Sequence, residues 1–155
     1  MGRLELLQPV ADAAFARYAN TAFEELSEAD RTVILVWSLQ GQVDNGGFDQ
    51  FYFNSSGDQA AETVAALERI GARRTAAQDE EGTRLYPTQP PPKERKARIA
   101  ELDRFSDAVT GTWDRLEQEF YCDPDGLDEL LVAYLVRHGV LPASTVGPAE
   151  PGRCT

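Results

Sequence analysis

Apolar residues recur every three or four positions along most of the chain, and capping or turn residues bound the segments they mark. Pro9 suits the first turn of a helix running to about Leu26, with Val10, Ala14, Tyr18 and Ala22 along one face. Ser27-Glu28-Ala29-Asp30 reads as an N-cap with an acid at the third helical position. The helix it starts carries Val33, Ile34, Leu35, Val36, Trp37, Leu39 and Val43, apolar around most of its circumference, which predicts a buried central helix. Val33 to Val36 alone would pass for a strand. The cap, and the lack of any partner strand elsewhere, favour helix.

Asn45-Gly46-Gly47 ends that helix, because Asn and Gly tolerate the left-handed conformation common at helix C-termini. Phe48, Phe51 and Tyr52 then share one face of a short helix. Asn54-Ser55-Ser56-Gly57 stops it, and Asp58 is placed to cap the next, whose face is Ala61, Val64, Ala65, Leu67 and Ile70 before Gly71. A weakly patterned helix over Arg74–Tyr86 leads into a proline-rich loop at 87–92. Ile99, Leu102, Phe105, Val109, Trp113, Leu116 and Phe120 then step by threes and fours as one amphipathic helix, with Gly111 as a bend point. Asp123-Pro124 restarts the chain, and Leu127, Leu130, Leu131, Tyr134 and Leu135 define a last helix closed by Gly139. The expectation is an all-α, single-domain helical bundle of about six to eight helices over 1–141, with a flexible tail over 142–155.

Charge changes the picture most. The chain has 155 residues and a formal charge of −11. Residues 1–68 carry −8, 69–98 carry +4, 99–129 carry −8 and 130–155 carry +1. Such an acidic chain repels the phosphate backbone, so direct nucleic-acid binding is disfavoured. The basic block reads as a solvated face or as internal ion pairing. Cys122 and Cys154 read as two isolated thiols, neither a disulfide framework nor a zinc site, and a cytoplasmic location fits. No apolar run is long enough to cross a membrane, and the N-terminus lacks a secretory signal.

The sequence offers little catalytic chemistry. His138, the single histidine, sits just before Gly139, where an imidazole commonly meets the last helix carbonyls. No phosphate loop, dinucleotide fingerprint or zinc-protease motif occurs. Asp123-Pro124-Asp125-Gly126-Leu127-Asp128 resembles a calcium loop, but the position that requires glycine holds Asp128. The expectation is a protein that is not an enzyme and uses no metal or cofactor. The acids are arranged more suggestively. On one continuous helix Asp103, Asp107 and Asp114 fall opposite the apolar face, with Glu117 at its border, so a row of carboxylates could present charge as a phosphate strand does. A second acidic block holds Glu24, Glu25, Glu28 and Asp30.

Between the helices lies a dense motif run: Asn45-Gly46-Gly47-Phe48, Phe51, Asn54 and Gly57, with Ala66-Leu67 and Ile70-Gly71-Ala72 downstream. Two glycines, two asparagines and same-face aromatics are what a tight interhelical corner requires. The run from Val43, over about Phe23 to Gly139, resembles the DNA-mimic-protein domain family of small acidic all-helical bacterial proteins; Asp44 stands where the family pattern has Asn. The resemblance implies a surface that imitates duplex DNA and binds, inhibits or regulates a basic DNA-binding protein such as a transcription factor. It leaves a homodimer open. The alternatives are an immunity-type protein neutralising a basic toxin, or a small-ligand binder using the Asn45–Asn54 corner.

Overall fold

In the computed structural model, which describes residues 2–146, the backbone is helical with no strand among those residues. Seven α-helices follow in order: α1 (Arg3–Tyr18), α2 (Glu28–Phe53), α3 (Ala60–Ile70), α4 (Arg73–Thr83), α5 (Arg95–Leu102), α6 (Asp107–Tyr121) and α7 (Leu127–Arg137). Short 3-10 turns occupy Phe23–Glu25, Ser55–Gln59 and Ala143–Thr145. The last turn falls in the tail expected over 142–155, of which residues 147–155, with Cys154, lie outside the described part. Among the described residues no helix is long and apolar enough to cross a membrane.

Helix α2 is the central element. The Ser27 hydroxyl accepts the Asp30 N–H at 3.0 Å, as the capping pattern predicts. Val33, Ile34, Leu35, Val36, Leu39 and Val43 are buried beneath α1, α3 and α7. Beyond the Gly46–Gly47 kink, Phe48, Phe51 and Tyr52 are fully buried. Helix α6 covers this second half, and Trp113 stacks on Tyr52 with centroids 4.9 Å apart.

Several boundaries differ from the sequence expectation, each for a local reason. Helix α1 starts at Arg3, where the Glu5 carboxylate accepts the Gly2 N–H at 3.0 Å, and Pro9 lies inside it. It stops at Tyr18 because Asn20 turns its amide onto the Ala16 carbonyl at 3.2 Å, so Ala22 is exposed rather than on the apolar face. Asp58 does not cap α3, which begins at Ala60 and buries Thr63 and Ala66 where Ala61 and Ala65 were expected. The amphipathic run from Ile99 is two helices, not one: Ser106 caps α6 through the Val109 N–H at 3.4 Å, and Gly111 lies inside α6. His138 rests against the Tyr134 ring at 4.2 Å instead of on the last carbonyls. Cys122, read as an isolated thiol, is disulfide-bonded. The calcium-like segment serves as helix caps: Asp123 accepts the Leu127 N–H at 2.9 Å and Asp125 the Thr75 N–H at 2.7 Å.

Arg98 on α5 is fully buried, and its guanidinium ties three segments together. It donates to the Tyr52 and Asn54 carbonyls at 2.6 and 2.8 Å, to those of Pro92 and Lys93 at 2.9 and 3.0 Å, and to Asp58 at 2.8 Å. Arg95 takes the intervening Phe53 carbonyl at 2.7 Å, so two cations meet the carbonyl end of α2. The close approach also explains Gly57, where a Cβ would lie 2.6 Å from Arg98 Nε. Three further cations of the basic block form ion pairs nearer the surface, Arg69 with Glu28, Arg84 with Glu80 and Lys93 with Glu62, while Arg73, Arg74 and Lys96 are exposed.

Asp79 on α4 presents the opposite case. It is 1% exposed, and neither carboxyl oxygen has a hydrogen-bond partner; the nearby Tyr52 and Tyr86 hydroxyls are also unpartnered. Burial pushes its pKa up to about 8 and drives those of Tyr52 and Tyr86 above the usual phenol range.

Two outcomes follow from these groups. Arg98→Met should lower stability by roughly 3–5 kcal/mol in chemical denaturation, because it strands the carbonyls and Asp58; a loss below about 1 kcal/mol would show that the loop is held by other contacts. Asp79 is protonated in the folded state up to about pH 8 but ionised in the unfolded chain above about pH 4. The fold therefore loses stability as pH rises between those values, on the order of several kcal/mol in total. Asp79→Asn should flatten that slope and raise the melting temperature at pH 8; a slope equal to wild type would rule out Asp79 as its source.

Candidate functional site

The site is built on the kink of α2. Gly47 has φ +74°, a left-handed backbone that side chains disfavour, and its N-terminal neighbour Gly46 is also non-helical. The break frees the Phe48 N–H from intrahelical bonding, and the Glu117 carboxylate of α6 accepts it at 2.8 Å. A Cβ on Gly47 would stand 2.2 Å from that same carboxylate oxygen. Glycine is thus required twice over, by conformation and by the approach of Glu117.

Amide side chains brace the two halves of α2 across the kink. Gln42, before it, accepts from Gln50 at 2.9 Å and from Asn54 at 2.8 Å, both after it. Asn45 donates to Gln50 at 3.0 Å. The Ser56 hydroxyl holds the Phe51 carbonyl at 2.7 Å. Each polar residue of the motif run from Asn45 to Ser56 that makes these bonds therefore builds the corner, and the amides are engaged with one another.

Four carboxylates gather on the outside of this corner: Asp44 and Asp49 from α2, Asp114 and Glu117 from α6. Burial, then the neighbouring Asp114, raises the pKa of Asp49. Burial likewise raises that of Glu117, opposed by the Phe48 N–H and reinforced by Asp114 and Asp49. Tyr121 donates its hydroxyl to the Val43 carbonyl at 3.1 Å, and its pKa is raised by burial and then by Glu117 and Asp44. Among the described residues no basic side chain lies within ion-pairing distance of Asp49, Asp114 or Glu117. The arrangement concentrates uncompensated negative charge on two helices fixed to each other by a charge-assisted hydrogen bond.

The structure separates the residues expected to form one row. Asp103 caps the end of α5 and Asp107 opens α6, so a helix break cuts Asp103 off from the row, while Asp107 and Asp114, seven residues apart on α6, keep a common face. All three are exposed. Glu117 is drawn into the corner rather than left at the border. In the N-terminal block Glu24 and Glu25 are exposed on the 3-10 turn. Asp30 is held by Arg17 at 2.6 and 2.7 Å, which lowers its pKa, and Glu28 faces Arg69 at 3.6 Å. Their charge is compensated internally. Asp44 and Asp49 escaped the sequence reading because they lie inside a motif read as structural; only the packing of α6 on the kink brings Asp49 beside Asp114 and Asp44 beside Tyr121. Among the described residues, no three His, Cys, Asp or Glu side chains are grouped to hold a metal ion.

The model of the DMP19-like protein family matches residues 24–138. No curated protein and no solved structure matches significantly.

The Gly47–Glu117 contact has a measurable signature. Gly47→Ala should lower stability by roughly 1–3 kcal/mol, since it meets both the backbone angle and the carboxylate. Glu117→Leu, which strands the Phe48 N–H, should lose about 1–3 kcal/mol, whereas Glu117→Gln keeps an acceptor and should lose less. Thermal unfolding of the three variants decides. Equal losses for Gln and Leu would show that the hydrogen bond contributes nothing.

Proposed function

Because the chain belongs to the DMP19-like protein family, we propose that it is a DNA mimic: its acidic surface occupies the DNA-binding face of a basic DNA-binding protein, such as a transcription factor, and inhibits or regulates it. The reading involves no catalysis, no cofactor and no direct contact with nucleic acid. The observation that supports it is the carboxylate cluster around the kink, where Asp49, Asp114 and Glu117 stand without a cationic partner among the described residues. Carboxylates held close together on a rigid scaffold reproduce the dense negative charge that a duplex offers to lysine and arginine. Asp103 and Asp107, exposed at the end of α5 and the start of α6, add to that charge. Glu24 and Glu25 form a separate patch.

The partner should be recovered from the native cell at low salt and released by a salt gradient. Asp49→Asn with Asp114→Asn removes two charges from exposed or half-exposed positions, so the fold should change by under about 0.5 kcal/mol for each. Affinity for the partner should drop by roughly tenfold, with a shallower salt dependence. Asp103→Asn with Asp107→Asn should weaken it less. Wild type should displace duplex DNA from the partner, and the Asp49/Asp114 double variant should do so poorly. A double variant that competes as well as wild type would remove the corner from the mechanism. Recovery of a basic toxin instead of a DNA-binding protein would assign the surface to immunity.

A further inference from the structure

Beside the acidic corner, a half-open groove of about 350 Å³ runs between α2 before its kink, the end of α6 and the start of α7. Its apolar side is formed by Trp37, Tyr121 and Leu127, and Leu4, 60% exposed, stands at its rim. Asp123 and Asp128 supply its polar side. Each accepts one hydrogen bond from a neutral donor: Asp123 from the Leu127 N–H at 2.9 Å, Asp128 from the Gln40 amide at 3.2 Å. Among the described residues neither has an arginine or lysine within ion-pairing distance.

Gly41 is the second observation. It lies in the interior of α2 and lines the groove, and a Cβ built there meets nothing within 4 Å. A glycine in a helix interior costs about 1 kcal/mol relative to alanine. Neither packing nor a positive φ asks for one at this position. What the missing side chain does leave is open space beside two carboxylates and an aromatic wall.

We propose that this groove receives an arginine side chain of the protein partner, which anchors that partner on the mimic surface. An arginine combines an apolar stem, suited to Trp37 and Leu127, with a planar cation suited both to aromatic rings and to paired carboxylates. This rests on the reading that the partner is a basic protein, and it adds something that charge imitation lacks. A duplex presents phosphates but no apolar slot, so the groove separates partners of equal charge by whether they carry an arginine at the matching place.

The probe is blocked arginine, acetylated and amidated, titrated into the full-length protein and followed by amide resonances. It should shift Gly41, Tyr121 and Asp128 most, at millimolar concentration, while blocked citrulline at matched ionic strength should not. Gly41→Leu fills the groove and should weaken binding at least tenfold; Gly111→Leu, an equally unobstructed site on α6 outside the groove, should leave it unchanged. If melting shows that Gly41→Leu is unfolded, Asp128→Asn provides the same comparison. Binding that survives the folded variant, equal response to citrulline, or shifts as large at Glu24 and Glu25 would overturn the proposal. The two readings fail separately. Arginine binding without displacement of DNA from the partner overturns mimicry alone, and displacement unaffected by Gly41→Leu overturns the anchor alone.

Discussion

A guanidinium can be buried only where its donors find acceptors, because an uncompensated interior charge costs several kcal/mol. Arg98 meets that condition by drawing together carbonyls that no regular helix would satisfy: the last ones of α2 and two from the proline-rich loop. The loop suits the task, since prolines lack the N–H groups that would compete for those carbonyls. With α2 ended and oriented, α5 lies across its terminus and the chain re-enters as α6. The Trp113 face of α6 then closes on Tyr52 and Phe48. The acidic corner is downstream of all this, because Glu117 reaches the kink only if α6 is laid along the second half of α2.

What could be seen in the sequence was local. Ser27, Gly71 and Gly139 end or begin helices as their residue types dictate, and the apolar girth of Val33 to Val43 announced a central helix. The glycine pair at 46–47 was legible as a corner, and the left-handed backbone that such residues tolerate falls at Gly47. The break between α5 and α6 was not, because Leu102, Phe105 and Val109 keep a three- and four-residue rhythm across it while Ser106 caps the new helix. Periodicity reports which residues face the core, not whether the backbone between them is continuous. Arg98 was hidden for the opposite reason. Nothing in a single arginine among several basic residues marks it as buried, since most of its partners are backbone carbonyls, two of them more than forty residues away.

The distribution of charge follows the same division. Of the acidic residues before α3, Asp30, Glu28 and Asp58 are matched by Arg17, Arg69 and Arg98, so folding neutralises them. Within the basic block of residues 69–98, Arg69, Arg84, Lys93 and Arg98 are engaged in ion pairs. On α6 and the flank of α2 the acids are not cancelled in this way: burial first, and then neighbouring carboxylates, raise the pKa values of Asp49 and Glu117. A sequence-level count of −11 therefore understates the contrast between faces.

Glu117 joins the two roles in one side chain, and this affects how the family can diverge. An exposed acid is ordinarily free to drift, because losing one surface charge barely alters the fold. Glu117 has no such freedom, since its carboxylate also takes the N–H that the Gly47 kink releases. Lineages that replaced it with an apolar residue would lose the corner along with the charge. Selection for foldability alone would then preserve a hydrogen-bond acceptor at the centre of this face and confine drift there to side chains that can supply one.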